Sequence, residues 1–170
     1  FFAMILVNQA NAGEIAVINV EEIIKNSTAM TKVNKELEAK KSDIEKKLKI
    51  DEKKLTDEKT SLEAQIKTLS QDVAQQKVMD FQQKVMDFQK TIKENENDLQ
   101  KAYMNAVVQI TNTVKDIVAE MKNEKNSKYD FQVVLPSASV IYSDNNLDIS
   151  SEVLSRLNKK LKEIKVVDKK

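Results

Sequence analysis

The sequence predicts a mostly α chain with a small β body, in which one long antiparallel helical hairpin, a tentacle, projects from a small sheet formed by both chain ends. Three observations carry this. From about residue 21 to about residue 127 there is no Gly or Pro, and the whole chain has one of each. Leu48, Leu55, Leu62 and Leu69 recur every seven residues inside that run. Short β-branched segments flank it on both sides, where strands are expected.

Ile15-Ala16-Val17-Ile18-Asn19-Val20 reads as a buried strand, with Ile15, Val17, Ile18 and Val20 as body residues. Glu21-Glu22 then places negative charge where a helix N-terminus favours it. A first helix is expected from about 21 to 68, with Val33, Leu37, Ile44, Ile66 and Val73 beside the leucine line. Glu45, Glu52 and Lys59 flank that line, so the apolar stripe is narrow and the helix needs a partner. A second helix is expected from about 71 to 126. Val78, Phe81, Val85, Phe88, Ile92, Asn95, Leu99 and Ala102 follow three-four spacing. The steps Leu99-Tyr103-Val107 then predict a stutter, which locally relaxes a left-handed supercoil. The tip is placed near 68–72, where Thr68 and Gln71 fit a capping box and Ser70 is an alternative N-cap. At about 1.5 Å per residue, each arm of the hairpin would be roughly 70–85 Å long.

The heptad Gln76-Lys77-Val78-Met79-Asp80-Phe81-Gln82 is repeated at once as Gln83 to Gln89. Seven residues are nearly two turns, so the copy keeps the seam in phase. Met79 and Met86 fall beside the seam. With Tyr103 and Met104 they are the candidate contacts for a partner, because methionine adapts to many shapes.

Phe131 to Leu135 reads as a strand, with Val133 and Leu135 in the body. Pro136 to Ser139 is a turn, and Val140-Ile141-Tyr142 a further strand that would make the sheet three-stranded. Asp148-Ile149-Ser150 supplies capping oxygens for a last helix, whose apolar face is Val153, Leu154, Leu157, Leu161 and Ile164. The organisation is therefore a body from 13–20 and 129–170 and an arm from 21–128. Ahead of them, Phe1 to Val7 is apolar, and Ala10-Asn11-Ala12 is small-x-small. That order matches the end of a secretory signal in residues 1–12, cut between Ala12 and Gly13.

The composition excludes several functions. The formal charge is +1, from 28 basic and 27 acidic residues, and Arg156 is the sole arginine. Neither nucleic-acid binding nor attraction to a membrane surface or to lipopolysaccharide gains support from such a balance. The chain has no Cys and no His, which removes thiol nucleophiles, imidazole acid–base chemistry and Cys/His zinc sites. The carboxylates lie on repetitive polar faces, so no enzyme activity, metal or cofactor is expected.

The terminal segments resemble the Skp/OmpH family of periplasmic chaperones. The residues that carry the resemblance are Ile15 to Val20, Tyr129 to Leu135, Val140 to Asp144, Leu147 to Ser150, Glu152 to Leu154 and Leu157-Asn158. The resemblance implies a homotrimer whose strands form a central body, with three hairpins around a cavity. It implies an ATP-independent holdase that binds unfolded outer-membrane β-barrel proteins in the periplasm and keeps them from aggregating. Members of the family are often strongly basic; this chain is nearly neutral, so no lipopolysaccharide-binding residues are carried over. The alternative reading is a structural coiled-coil spacer or a surface-associated protein of the cell envelope, which would not need strands at both ends.

Overall fold

The computed structural model of the chain describes residues 14–125 and 128–166. The expected cleavage at Ala12 and Gly13 lies outside them. Strand β1 (Glu14–Ile18) leads into helix α1 (Val20–Asn26), then α2 (Thr28–Gln65) and α3 (Gln71–Asn123). Strand β2 (Phe131–Pro136) follows, then two 3-10 turns at Ser137–Ser139 and Asn145–Leu147, and helix α4 (Ser150–Lys160). The chain divides into two compact units. One contains the described residues up to Thr31 and Val107–Ile164; the other contains Lys32–Ala106 with Lys165 and Val166.

The first unit holds most of the buried core. β1 and β2 pair in parallel, with Ile15 opposite Val133, Ala16 opposite Val134 and Val17 opposite Leu135. A register shift lies between Glu14 and Ile15. A parallel pair needs a long crossover, and here the crossover is everything between Ile18 and Phe131. β1 is central. Its second edge bridges to Asp148, and the Ile149 N–H donates to the Val17 carbonyl at 3.0 Å. Ile23, Met30, Ile110, Ile117, Met121, Val153 and Leu157 are fully buried in this unit. Each such side chain contributes about 1.5–3 kcal/mol relative to exposure.

Four sequence expectations change here. First, Val140-Ile141-Tyr142 is not a strand, and among the described residues the sheet has two strands rather than three. The 3-10 turn after β2 carries the chain away from β2's free edge, while residues 148–149 take β1's other edge. Ile141 is left fully exposed and Tyr142 largely so; Val140 is half-buried. Second, β1 stops at Ile18, and Val20 opens α1 instead of closing the strand. Asn19 caps that helix: its Oδ1 accepts from the Glu22 N–H at 3.1 Å, and its Nδ2 donates to Glu22 Oε2 at 3.1 Å. The first bond satisfies one of the free N–H groups at the helix start, and the second holds the two side chains together.

Third, the first long helix is broken at Ser27, which has φ −69° and ψ 140°. Ser27 is completely buried and serves both sides of the break. Its hydroxyl donates to the Ile24 carbonyl at 2.9 Å and accepts from the Met30 N–H at 3.1 Å. The Thr28 N–H donates to Asn158 Oδ1 at 2.8 Å, so α4 also caps α2. Ser27→Ala is expected to cost about 0.5–2 kcal/mol, the usual loss of an N-cap oxygen. Urea unfolding followed at 222 nm checks this. Fourth, α4 ends at Lys160, although Ile164 beyond it is still buried. Of the expected capping oxygens, Asp148 Oδ1 accepts from the Ser150 N–H at 2.8 Å, while the Ser150 hydroxyl accepts from Asn19 N–H at 2.8 Å.

In the second unit, α2 ends at Gln65, residues 66–69 turn, and α3 begins at Gln71. Thr68 does not form the expected capping box. Its hydroxyl and N–H both donate to the Gln65 carbonyl, at 3.0 Å each, so it closes α2 instead of opening α3. Lys84 pairs with Glu58 across the two helices.

Candidate functional site

The second unit is a two-helix seam with little true core. Among its described residues only Val33 and Ala106, at its limits, are fully buried. Along α2 the half-buried residues are Leu37, Lys40, Ile44, Leu48, Asp51, Leu55, Glu58 and Leu62. The charged residues that share the seam are thus Lys40, Asp51 and Glu58. The expected flanking residues Glu45, Glu52 and Lys59 are exposed. Along α3 the half-buried line runs Val78, Phe81, Val85, Phe88, Ile92, Asn95, Leu99 and Ala102. It then passes to Ala106 and Ile110, so the four-four step uses Ala102, Ala106 and Ile110. Tyr103 is left off the seam and exposed, and Val107 is half-buried beside it.

The duplicated heptads behave as true structural copies. Gln76 Nε2 donates to Asp80 Oδ1 and Gln83 Nε2 to Asp87 Oδ1, both at 2.9 Å. In each copy Val and Phe sit in the seam and Met faces outward. Met79 is 47% exposed, Met86 54% and Met104 50%. Met79 and Met86 are separated by roughly two helical turns, and Met86 and Met104 by five turns at 3.6 residues each. All three therefore lie on one line of α3, on the side away from the seam. The alignment of Met104 with the heptad methionines was present in the sequence as an eighteen-residue spacing.

In the first unit the exposed apolar groups concentrate on the sheet and the segment after it. Ile15 and Val133 are paired across the strands, and both are exposed. Val17 and Ile18 are buried, and Val20 and Leu135 half-buried. Ile141 and Tyr142 stand free of the fold, apart from a bond from Tyr142 Oη to Asp144 Oδ1 at 2.7 Å. A cleft of about 620 Å³, missed in the sequence, is walled by Ile18, Val20, Val114, Val118, Phe131 and Val134, with Lys115 and Lys122 beside them. The signal for it was weak, because Val114 and Val118 read simply as continuing helix. Lys122 Nζ donates to the Phe131 carbonyl at 2.8 Å and ties the start of β2 to α3.

The sole arginine is a clamp. Arg156 Nε donates to Glu152 Oε1 at 2.7 Å, and its guanidinium also holds Glu124 in a two-point pair. Lys160 pairs with Glu120 nearby. The hydrogen bonds from Arg156 hold both the Glu124 and Glu152 carboxyls below their usual range, opposed by desolvation and aided by its charge. A depressed carboxylate contributes stability that is complete above its unfolded pKa and is lost as pH falls through its folded value. The clamp therefore acts at neutral pH and weakens on acidification below about pH 4.5, the ordinary Glu region. Arg156→Gln is expected to show a shallower fall of melting temperature between about pH 5 and pH 3 than the unaltered chain. Parallel slopes in the two proteins would contradict it.

Among the described residues no cluster of three or more metal-ligating side chains occurs, and no helix is long and apolar enough to cross a membrane. What the arrangement offers is surface: an outward methionine line on a thinly packed arm, and uncovered apolar groups on a small body.

Residues 14–157 match the family described as Outer membrane protein (OmpH-like). No curated protein gives a significant sequence match. The fold is similar to a crystal structure of an OmpH-like protein from Caulobacter crescentus CB15, presented as a candidate outer membrane chaperone. The two share 16% identity with a TM-score of 0.75, over 89% of this chain and 87% of the other.

Proposed function

The chain belongs to the OmpH-like family of outer membrane proteins, and from that premise we propose that it is an ATP-independent holdase chaperone. It binds unfolded outer-membrane β-barrel proteins in the periplasm and prevents their aggregation, without cofactor or catalysis. The observation that carries this reading is the arm. Its seam is half-buried almost throughout, so it leaves apolar groups, Met79, Met86 and Met104 above all, facing solvent on a charged helix surface. Isolated adaptable side chains on a long helix suit many unfolded shapes without tight packing. Tyr103 adds an aromatic contact beside them.

The body serves self-association into a homotrimer. Parallel sheets are ordinarily covered on both faces, yet Ile15 and Val133 form an exposed pair here. Ile141 and Tyr142 add uncovered apolar surface, which on a soluble body marks an interface. Residues 1–12 are the end of the export signal that delivers the chain to the periplasm, cut between Ala12 and Gly13.

Light scattering tests the proposal. An outer-membrane β-barrel protein is diluted from urea with and without the chain from Gly13 onward. Suppressed scattering at about one trimer per client is the expected result. Unchanged scattering at several-fold excess, at both low and high salt, would overturn the holdase reading.

A further inference from the structure

Among the described residues, the oxidisable sulfur is sorted by burial. Cys, His and Trp are absent, so the methionine thioethers are the most readily oxidised side chains, ahead of lysine amines and tyrosine rings. Met30 and Met121 are buried in the first unit, at 1% and 0% exposure, whereas Met79, Met86 and Met104 are about half exposed on one line of α3 in the second. Two of those three, Met79 and Met86, occupy the same place in the two copies of a duplicated heptad.

We propose that Met79, Met86 and Met104 form a reversible oxidation site, by which hypochlorous acid switches off capture of apolar client segments. The regulatory part of this rests on the holdase reading above. In each step the thioether sulfur gains oxygen and loses two electrons. Hypochlorous acid is reduced to chloride with release of a proton, leaving a sulfoxide. A reductase using a dithiol reverses it: the sulfoxide oxygen leaves as water, the dithiol becomes a disulfide and the thioether returns. The sulfoxide is polar and chiral, so three apolar contacts on the arm become hydrated groups. The fold survives, because none of the three sits in the seam, and the two methionines that do pack the core are shielded.

The experiment treats the full chain with a few equivalents of hypochlorous acid, maps oxidised peptides by mass spectrometry and repeats the client scattering assay. Expected are oxygen additions at Met79, Met86 and Met104 well before Met30 and Met121, with helical circular dichroism retained. Suppression of aggregation should fall several-fold and return after treatment with methionine sulfoxide reductase and a dithiol. In the M79L/M86L/M104L variant, whatever suppression is measured before oxidant should be the same after it. Equal oxidation rates at Met30 and Met121 would overturn the proposal. So would an equal fractional loss of activity in the unaltered chain and the triple-Leu variant, which would place the damage on other side chains, lysine amines or tyrosine rings. If the untreated chain suppresses no aggregation, the holding role falls and the switch with it, while the peptide map still decides where oxidation occurs.

Discussion

Leu157→Ala should lower stability by about 2–5 kcal/mol, the range for truncating a buried leucine into a space that cannot fully collapse. Leu157 is completely buried on α4, in the same core as Val153, Ile23 and Met30. The neighbouring Asn158 also caps α2 through Thr28. A shift of α4 to fill the cavity would therefore disturb that cap, which argues for the upper part of the range. Against a total of about 5–15 kcal/mol for a typical domain, this is a large fraction. It corresponds to about 2–4 °C of melting temperature per kcal/mol in a chain of this size. The matched control is Ile50→Ala on α2. Ile50 is equally apolar but exposed, so its loss should stay within about 0.5 kcal/mol. Thermal melts at one fixed protein concentration compare the two, since association would otherwise couple to stability. Equal losses would contradict the location of the core.

The double change I141D/Y142S should abolish self-association while leaving the folded body intact. Neither side chain packs within its own chain, so removing both costs the isolated chain little. If they meet partner chains in the proposed trimer, each chain then buries an unpaired carboxylate at 141 and loses the ring at 142, which is strongly unfavourable. Sedimentation velocity should report a single monomeric species, and circular dichroism an unchanged helix content. A trimer that persists at micromolar concentration would place the interface elsewhere, with the exposed Ile15–Val133 pair as the next surface to change.

Much of the fold was readable from local pattern. The half-buried line on α3 from Val78 to Ala102 is the three-four spacing seen in the sequence. The pairing of the two chain ends followed from β-branched runs with no other partner. The failures have specific physical causes. The break at Ser27 carries no Gly or Pro. It is stabilised by a hydroxyl that bonds on both sides and by Asn158, which lies far away in sequence. Tyr103 looked like seam because bulk draws attention, but the helix passes through Ala102 and Ala106, whose small side chains permit close approach. Val140 to Tyr142 has genuine strand propensity. What it lacks is access to an edge, since the 3-10 turn after β2 carries it away from β2's free edge and residues 148–149 take β1's, and propensity does not encode that. The charged seam residues were misread by one position, Asp51 for Glu52 and Glu58 for Lys59, because a narrow stripe tolerates either phase. Among candidate surface residues, the methionines were identified individually, but their common line with Met104 becomes plain only with five helical turns between.

The absence of tryptophan from this chain gives the central claim its most direct test. A tryptophan-containing outer-membrane β-barrel protein, diluted from urea into the chain from Gly13 onward, reports binding through its own fluorescence against a dark background. Capture of an unfolded client predicts a saturable change with a dissociation constant of micromolar or tighter, on the order of −8 kcal/mol. The bound client should keep an unfolded signature and show no barrel circular dichroism. A client emission spectrum that is unchanged at saturating concentrations, with aggregation proceeding at its unassisted rate, would contradict the account.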